Sequence, residues 1–95
     1  MTIDEFQRAT DGIAEKTLFL LPTNYHYIPI TLITVKKNKI ILAHSDDRRA
    51  TVTLHDFLAI CSNLNSQTQI YFQMENNSPQ PMFGFKQIPN AIVPH

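Results

Sequence analysis

Histidine and cysteine are the side chains of this sequence best suited to catalysis or metal binding, and their spacing favours neither. The four histidines are dispersed along the chain, at His26, His44, His55 and His95. No pair of them, and no pairing with the only cysteine, Cys61, has the short spacing that zinc ligands share. The two glycines, Gly12 and Gly84, are too far apart for a phosphate-binding loop. The sequence therefore predicts no catalytic residue, no metal and no cofactor, and we expect a protein that is not an enzyme.

Cys61 belongs to an apolar stripe, which indicates a core position for its thiol. Leu54, Phe57, Cys61 and Leu64 recur at the spacing of one helix face. Thr53 is a good N-cap for this helix, since its hydroxyl can accept from a backbone N–H one turn further on. A strand rich in β-branched and aromatic residues follows from residue 68 to residue 74. Burial on such a stripe is typical of a small structural side chain and not of a nucleophile.

The N-terminal part of the chain carries a similar signal. Thr2 and Glu5 form the pattern of a capping box, which predicts a first helix from Ile3 onward. The apolar run 17–21 predicts a strand buried on both faces, and residues 30–35 and 40–44 predict a hairpin around a turn of lysines and asparagine. Residues 82–88 predict a further strand, and 91–93 are a short apolar piece.

An offset of 51 residues places Thr2 on Thr53 and Phe6 on Phe57, which suggests an internal repeat of residues 2–44 and 53–95. Each half reads helix, strand, strand, strand. We therefore predict one α+β domain over residues 1–95, in which two αβββ units form one mainly antiparallel sheet with both helices on one face. The predicted core comprises Phe6, Ile13, Phe57, Cys61, Leu64, Ile70 and Phe72.

Aromatic and apolar residues outside the predicted core suggest a contact surface for another protein. Tyr25 and Tyr27 flank a histidine in a segment bounded by Asn24 and Pro29, and tyrosine is enriched at interfaces. A strand edge or a loop whose rings cover the core is the alternative interpretation. The other sheet face of the predicted fold would be open or covered by a second chain. The candidate partner-binding residues are Tyr25, His26, Tyr27, Ile30, Leu32, Phe83 and Phe85.

Basic residues suggest nucleic-acid binding as an alternative function. Three lysines, Lys36, Lys37 and Lys39, stand at the tip of the predicted hairpin, and Arg48 and Arg49 follow in a mixed-charge loop. Such residues can contact phosphates, and the tyrosines could stack on bases. The alternative interpretation is that the lysines lie in an ordinary solvated turn and the arginines in an ordinary solvated loop. The 8 basic residues are balanced by 8 acidic ones, which argues against a general polyanion binder.

The tract from Thr53 to Phe72 resembles a helix-then-strand unit of small phage- and prophage-encoded proteins of unassigned role. The resemblance rests on a threonine-capped helix, an asparagine-containing turn and an alternating strand, and it implies no functional residues. Neither a membrane-spanning run nor a signal peptide is predicted, so we expect a cytoplasmic protein. We predict a small non-catalytic protein-interaction module, with a protein partner or a homodimer. A nucleic-acid-binding accessory protein that uses the lysine turn is the alternative.

Overall fold

The computed structural model describes residues 1–95 and contains two helices and eight strands. The elements in chain order are α1 (Ile3–Ala9), β1 (Leu18–Pro22), β2 (Tyr27–Pro29), β3 (Leu32–Lys36), β4 (Lys39–Ala43), α2 (Leu54–Cys61), β5 (Gln69–Gln73), β6 (Gln80–Pro81), β7 (Phe85–Ile88) and β8 (Ala91–Pro94). The α+β class predicted from the sequence is confirmed.

Both helices begin at a complete capping box, as the sequence predicts for the first of them. Thr2 Oγ1 accepts from the backbone N–H of Glu5, and the Glu5 carboxylate accepts from the backbone N–H of Thr2. Asp56 closes the same pair of hydrogen bonds with Thr53 at the start of α2. Aspartate thus replaces the usual glutamate in the second box. Each box pairs N–H groups that a helix start otherwise leaves without a partner.

The predicted lysine hairpin is formed by β3 and β4, which pair antiparallel. Asn38 in its turn has a φ of 62°, in the left-handed region that asparagine tolerates better than most residues. The hairpin of β7 and β8 has the same arrangement, with Asn90 at a φ of 65°. The two turns are therefore equivalent in conformation as well as in position.

The strands form two four-stranded mixed sheets, so the prediction of one mainly antiparallel sheet is wrong. The first sheet has the order β2-β1-β8-β7 and the second the order β3-β4-β5-β6. In each sheet the two central strands are parallel, β1 with β8 and β4 with β5. The placement of both helices on one face of a single sheet is wrong for the same reason. The predicted αβββ units are also wrong in strand number, because each helix is followed by four strands and the short strands β2 and β6 have no clear alternating pattern. The parallel pairs join strands that are far apart in the chain, and the sequence pattern does not indicate such pairs.

Each sheet contains strands from both halves of the chain, so the halves are intertwined. Ile3 N donates to Thr68 O at 3.0 Å, and Leu54 N donates to Thr17 O at 2.8 Å. These two hydrogen bonds are equivalent, because the offset of 51 places Ile3 on Leu54 and Thr17 on Thr68. The isolated bridges of Thr2 with Gln69 and of Thr53 with Leu18 are related in the same way. A common origin of the two halves stays a prediction.

One core fills the space between the sheets, and aromatic rings stand at its centre. Phe57 lies 5.1 Å from Phe6 and 5.2 Å from Phe19 between ring centroids, so both helices pack on β1. Phe57 is fully buried, which confirms the predicted register of α2. The other predicted core residues are buried, except that Ile13 and Leu64 are half-buried against the core. The run 17–21 is not buried on both faces, because residues of β1 alternate between core and exterior.

Candidate functional site

Three aromatic side chains, Tyr25, Tyr27 and Phe83, are exposed at one end of the first sheet, which we call the aromatic end. Tyr27 is the Cα partner of Pro22 on β1. Because β1 runs parallel to β8, Pro22 lies at the level where β8 leads into His95. Phe83 N donates to His95 O at 2.8 Å. The pairing of four strands thus brings together residues from the two halves of the chain.

The two tyrosines of the aromatic end lie at a tight turn between β1 and β2. The backbone N–H of His26 donates to Thr23 Oγ1 at 3.0 Å, and the Thr23 hydroxyl donates to His26 O. These bonds satisfy the turn locally and leave the Tyr25 side chain 95% exposed. A shallow cavity of about 310 Å³ is lined by residues 22–27. Phe83, which precedes β7 and lies beside His95 on the side away from β1, is 79% exposed.

Of the remaining residues of the predicted partner surface, only His26 lies at the aromatic end. Ile30 is fully buried, and its backbone crosses between the sheets: its N–H donates to Phe19 O at 3.0 Å, and its carbonyl accepts from Val52 N at 2.8 Å. The ring of Phe85 lies 5.5 Å from that of Phe6 between centroids. Ile30 therefore belongs to the core and is not accessible, and Phe85 is half-buried against the core. The two others are His26, which is exposed beside Tyr25, and Leu32, which is half-buried on the second sheet.

The three lysines lie together at the turn end of the second sheet. Lys36 and Lys39 are direct Cα partners, so two ammonium groups extend from the same face of the hairpin. No carboxylate lies within ion-pair distance of either one or of Lys37. Lys39 Nζ stands 4.9 Å from the centroid of the Tyr71 ring, in cation–π geometry. Like charges directly opposite each other in a sheet are unfavourable, so this arrangement lowers rather than raises stability.

The two arginines do not join the lysines. Arg48 and Arg49 are exposed in the loop after β4, whereas the lysine turn precedes β4. Asp46 and Asp47 stand immediately before them. The predicted nucleic-acid surface is therefore divided between opposite ends of β4, and only its lysine part forms a cluster.

A cleft of about 320 Å³ lies where the parallel strands β4 and β5 end, lined in part by His44, Asp46 and Glu75. His44 Nδ1 is 2.8 Å from Pro29 O, and its Nε2 is 3.0 Å from Asp46 Oδ1. The backbone carbonyl of Pro29 and the carboxylate of Asp46 raise the pKa of His44. Both ring nitrogens are engaged with acceptors, so the ring holds the loop in place and leaves no free nitrogen for proton transfer.

The other groups capable of chemistry are separate from this cleft. His55 Nδ1 lies 3.6 Å from a Glu15 carboxylate oxygen on the surface. The Cys61 thiol is buried, and burial raises its pKa to about 12. A thiol with such a pKa is almost entirely protonated at neutral pH and is a poor nucleophile. No group of three or more His, Cys, Asp or Glu side chains is arranged to hold a metal ion.

Comparison with protein families, with curated proteins and with solved structures finds no match for this chain. None of its helices has the length and apolar character needed to cross a membrane. A function has to be argued from the two exposed clusters, the aromatic end and the lysine turn.

Sequence reasoning missed two members of these sites. Tyr71 is within the predicted strand 68–74, and it lies beside Lys39 because β4 and β5 are parallel neighbours. Glu75 follows that strand and lines the cleft together with His44. A prediction of the β4–β5 pairing would have found both. Its register places Tyr71 two residues after Gln69, the partner of Lys39, and His44 and Glu75 both follow the carboxyl ends of the two strands.

Proposed function

We propose that the protein is a non-catalytic protein-binding module whose contact surface is the aromatic end. The observation that carries this proposal is the grouping of Tyr25, Tyr27 and Phe83 at one end of one sheet, with Tyr25 and Phe83 almost free of protein contacts. A single exposed apolar side chain is ordinary on a protein surface. Several large aromatic residues together are typical of interfaces, where tyrosine in particular contributes strongly to affinity.

The chemistry of the aromatic end favours an apolar segment of another protein as its ligand. The three aromatic residues and His26 carry no carboxylate, and an ammonium group, Lys86 Nζ, lies 3.5 Å from the Tyr27 hydroxyl oxygen. The shallow cavity in the β1–β2 turn is open enough to admit an apolar side chain. A non-catalytic role agrees with the engagement of both His44 ring nitrogens and with the burial of Cys61.

A partner recovered from native lysate provides the test, and the measured quantity is its Kd for purified variants. We expect the double variant Tyr25→Ala, Tyr27→Ala to bind at least about tenfold more weakly, which corresponds to about 1.4 kcal/mol. Phe83→Ala should weaken the same complex. These side chains are exposed, so the variants should keep their fold, and circular dichroism checks this. Unchanged affinity in both variants would refute the proposal.

The triple variant Lys36→Ala, Lys37→Ala, Lys39→Ala is the matched control for that experiment. Exposed rim charges change the association rate more than the equilibrium affinity, so the Kd for the protein partner should stay close to the wild-type value. A large loss of affinity in the control would move the contact surface from the aromatic end to the lysine turn.

Nucleic-acid binding is the second candidate, favoured by one observation. Lys36 and Lys39 are held opposite each other without carboxylate partners, although this costs stability. Local violations of this kind are concentrated at functional sites. If the turn binds phosphates, affinity for single-stranded DNA, duplex DNA or RNA should fall steeply with salt. Each phosphate-contacting lysine that is removed should then reduce the salt slope by about one.

A further inference from the structure

Four strands lie at the edges of the two sheets, and three of them carry features that discourage strand addition. β6 has two residues, one of them Pro81, and β2 has three, one of them Pro29. β7 has four residues with Lys86 in its interior. Short length, proline and lysine are the devices by which proteins protect exposed strand edges.

The fourth edge strand, β3, has neither short length nor proline, and its only lysine, Lys36, is its last residue. It is five residues long, contains no proline and has no charged residue before Lys36. Its backbone groups make no hydrogen bond outside the ladder with β4. Val35 is about half exposed, and Leu32, Ile33 and Thr34 are half-buried. An edge of this length with no charge in its interior is a template for another strand.

The contrast between β3 and β7 is sharpest at one position. An offset of 52 residues places Thr34 on Lys86, and the two occupy equivalent places in their hairpins, opposite Ile41 and Val93. The second half of the chain therefore has a lysine where the first half has a threonine. The first sheet is protected at this position and the second sheet is open.

We propose that a second copy of this chain pairs with β3, with the two β3 strands antiparallel about a two-fold axis at Thr34. In this register Thr34 faces Thr34 of the second copy, and Ile33 faces its Val35. Pairs of threonines and of β-branched residues are favourable neighbours across antiparallel strands. Lys36 faces Leu32 of the second copy, so no lysine meets another. The same patch is used by both copies, as a two-fold interface requires, and the two sheets become one of eight strands.

The net charge of the chain agrees with a second copy of the chain as the partner of β3. With 8 basic and 8 acidic residues the net charge is zero, so two copies meet without overall repulsion. The aromatic end belongs to the first sheet and β3 to the second. The dimer therefore goes beyond the proposed protein-binding function, and each can fail while the other stands.

The test is the mass of the protein in solution, measured by sedimentation equilibrium across the micromolar range. We expect twice the chain mass of 10.9 kDa for the wild-type protein. Thr34→Glu and Thr34→Lys should each give a monomer, because like charges then meet at the two-fold axis. An equal mixture of the two variants should restore the dimer, because glutamate then faces lysine. This rescue distinguishes a two-fold contact at Thr34 from a general loss of stability.

Lys86→Glu is the matched control, since it changes a charge at the equivalent position of the first sheet. It should leave the dimer intact. Circular dichroism should show the same fold in all four proteins. A wild-type monomer throughout the range would overturn the proposal. Dimers of both Thr34 variants, or a mixture that stays monomeric, would overturn it as well.

Discussion

His44 Nε2 lies 3.0 Å from Asp46 Oδ1, while Nδ1 of the same ring lies 2.8 Å from the carbonyl oxygen of Pro29. Neither acceptor has a proton to give, so both contacts are hydrogen bonds only when the ring carries two protons. The ring joins the loop after β4 to the end of β2, and therefore the second sheet to the first. This junction stabilises the fold most when His44 is charged.

Protonation of His44 should make the stability of the protein depend on pH. Its folded-state pKa is raised above the ordinary value of 6.5, first by the Pro29 carbonyl and then by Asp46, with Glu75 adding a smaller attraction. The folded state therefore holds the proton more tightly than the unfolded state. The contribution is complete below pH 6.5 and is lost as the pH rises through the folded pKa. Urea unfolding from pH 5 to 9 measures this change.

The variant Asp46→Asn should reduce this pH dependence, and His44→Gln should remove it. His26→Gln is the control, because it removes a histidine whose ring makes no hydrogen bond. An imidazole titration followed by NMR gives the folded pKa directly. A pKa at or below 6.5 for His44 would contradict the argument.

Phe57 should be one of the most sensitive positions for stability. It is fully buried and packs edge-on against Phe6 at 5.1 Å, with Phe19 on another side. Phe57→Ala should cost about 3–5 kcal/mol, because it leaves a cavity between both helices and β1. Phe83→Ala removes an equally large ring from the surface and should change the free energy of unfolding by about 0.5 kcal/mol or less. Chemical denaturation of the two variants makes the comparison, and equal losses would contradict it.

Both helices and the longer strands of this fold could be predicted from the sequence, whereas the short strands β2 and β6 and the pairing of the strands could not. Thr2, Thr53 and the apolar stripe of α2 define the helices through contacts within one or two turns. Asn38 and its lysines define a hairpin for the same reason. The parallel pairs β1 with β8 and β4 with β5 join strands from different halves, and only tertiary packing selects them. The observed fold has two intertwined halves, and the predicted fold has two halves joined edge to edge. Both arrangements have the same local sequence pattern.

The same distinction applies to the candidate sites. Tyr25 and Tyr27 could be found because they are close in sequence in a segment that ends in proline. Ile30 could not be excluded from the surface, because its burial depends on a crossing between sheets that alternation does not reveal. The proximity of Tyr71 to Lys39 likewise depends on a pairing between strands about thirty residues apart.

Cys61 should report on unfolding, since its thiol is protected in the folded state. Burial raises its pKa to about 12, and it belongs to the core cluster. A thiol reagent should therefore label native protein far more slowly than protein in denaturant. The labelling rate should increase in Phe57→Ala, because that variant populates the unfolded state more. Fast labelling of the native wild-type protein would show that α2 opens locally.

The capping box of α1 should respond to acid when Thr2 is intact. Hydrogen bonds from the backbone and hydroxyl of Thr2 lower the pKa of Glu5 below its ordinary value of 4.5. The contribution of this carboxylate is therefore complete above pH 4.5 and is lost as the pH falls through the folded pKa.

Thr2→Ala and Thr53→Ala should each cost about 1 kcal/mol at neutral pH, because each removes the side-chain acceptor of an N-cap. Thr2→Ser keeps the hydroxyl and is the control for the first box. Urea unfolding of the three variants at pH 7 and pH 3 provides the measurement. A loss in Thr2→Ser as large as that in Thr2→Ala would show that the methyl group, and not the cap, stabilises α1.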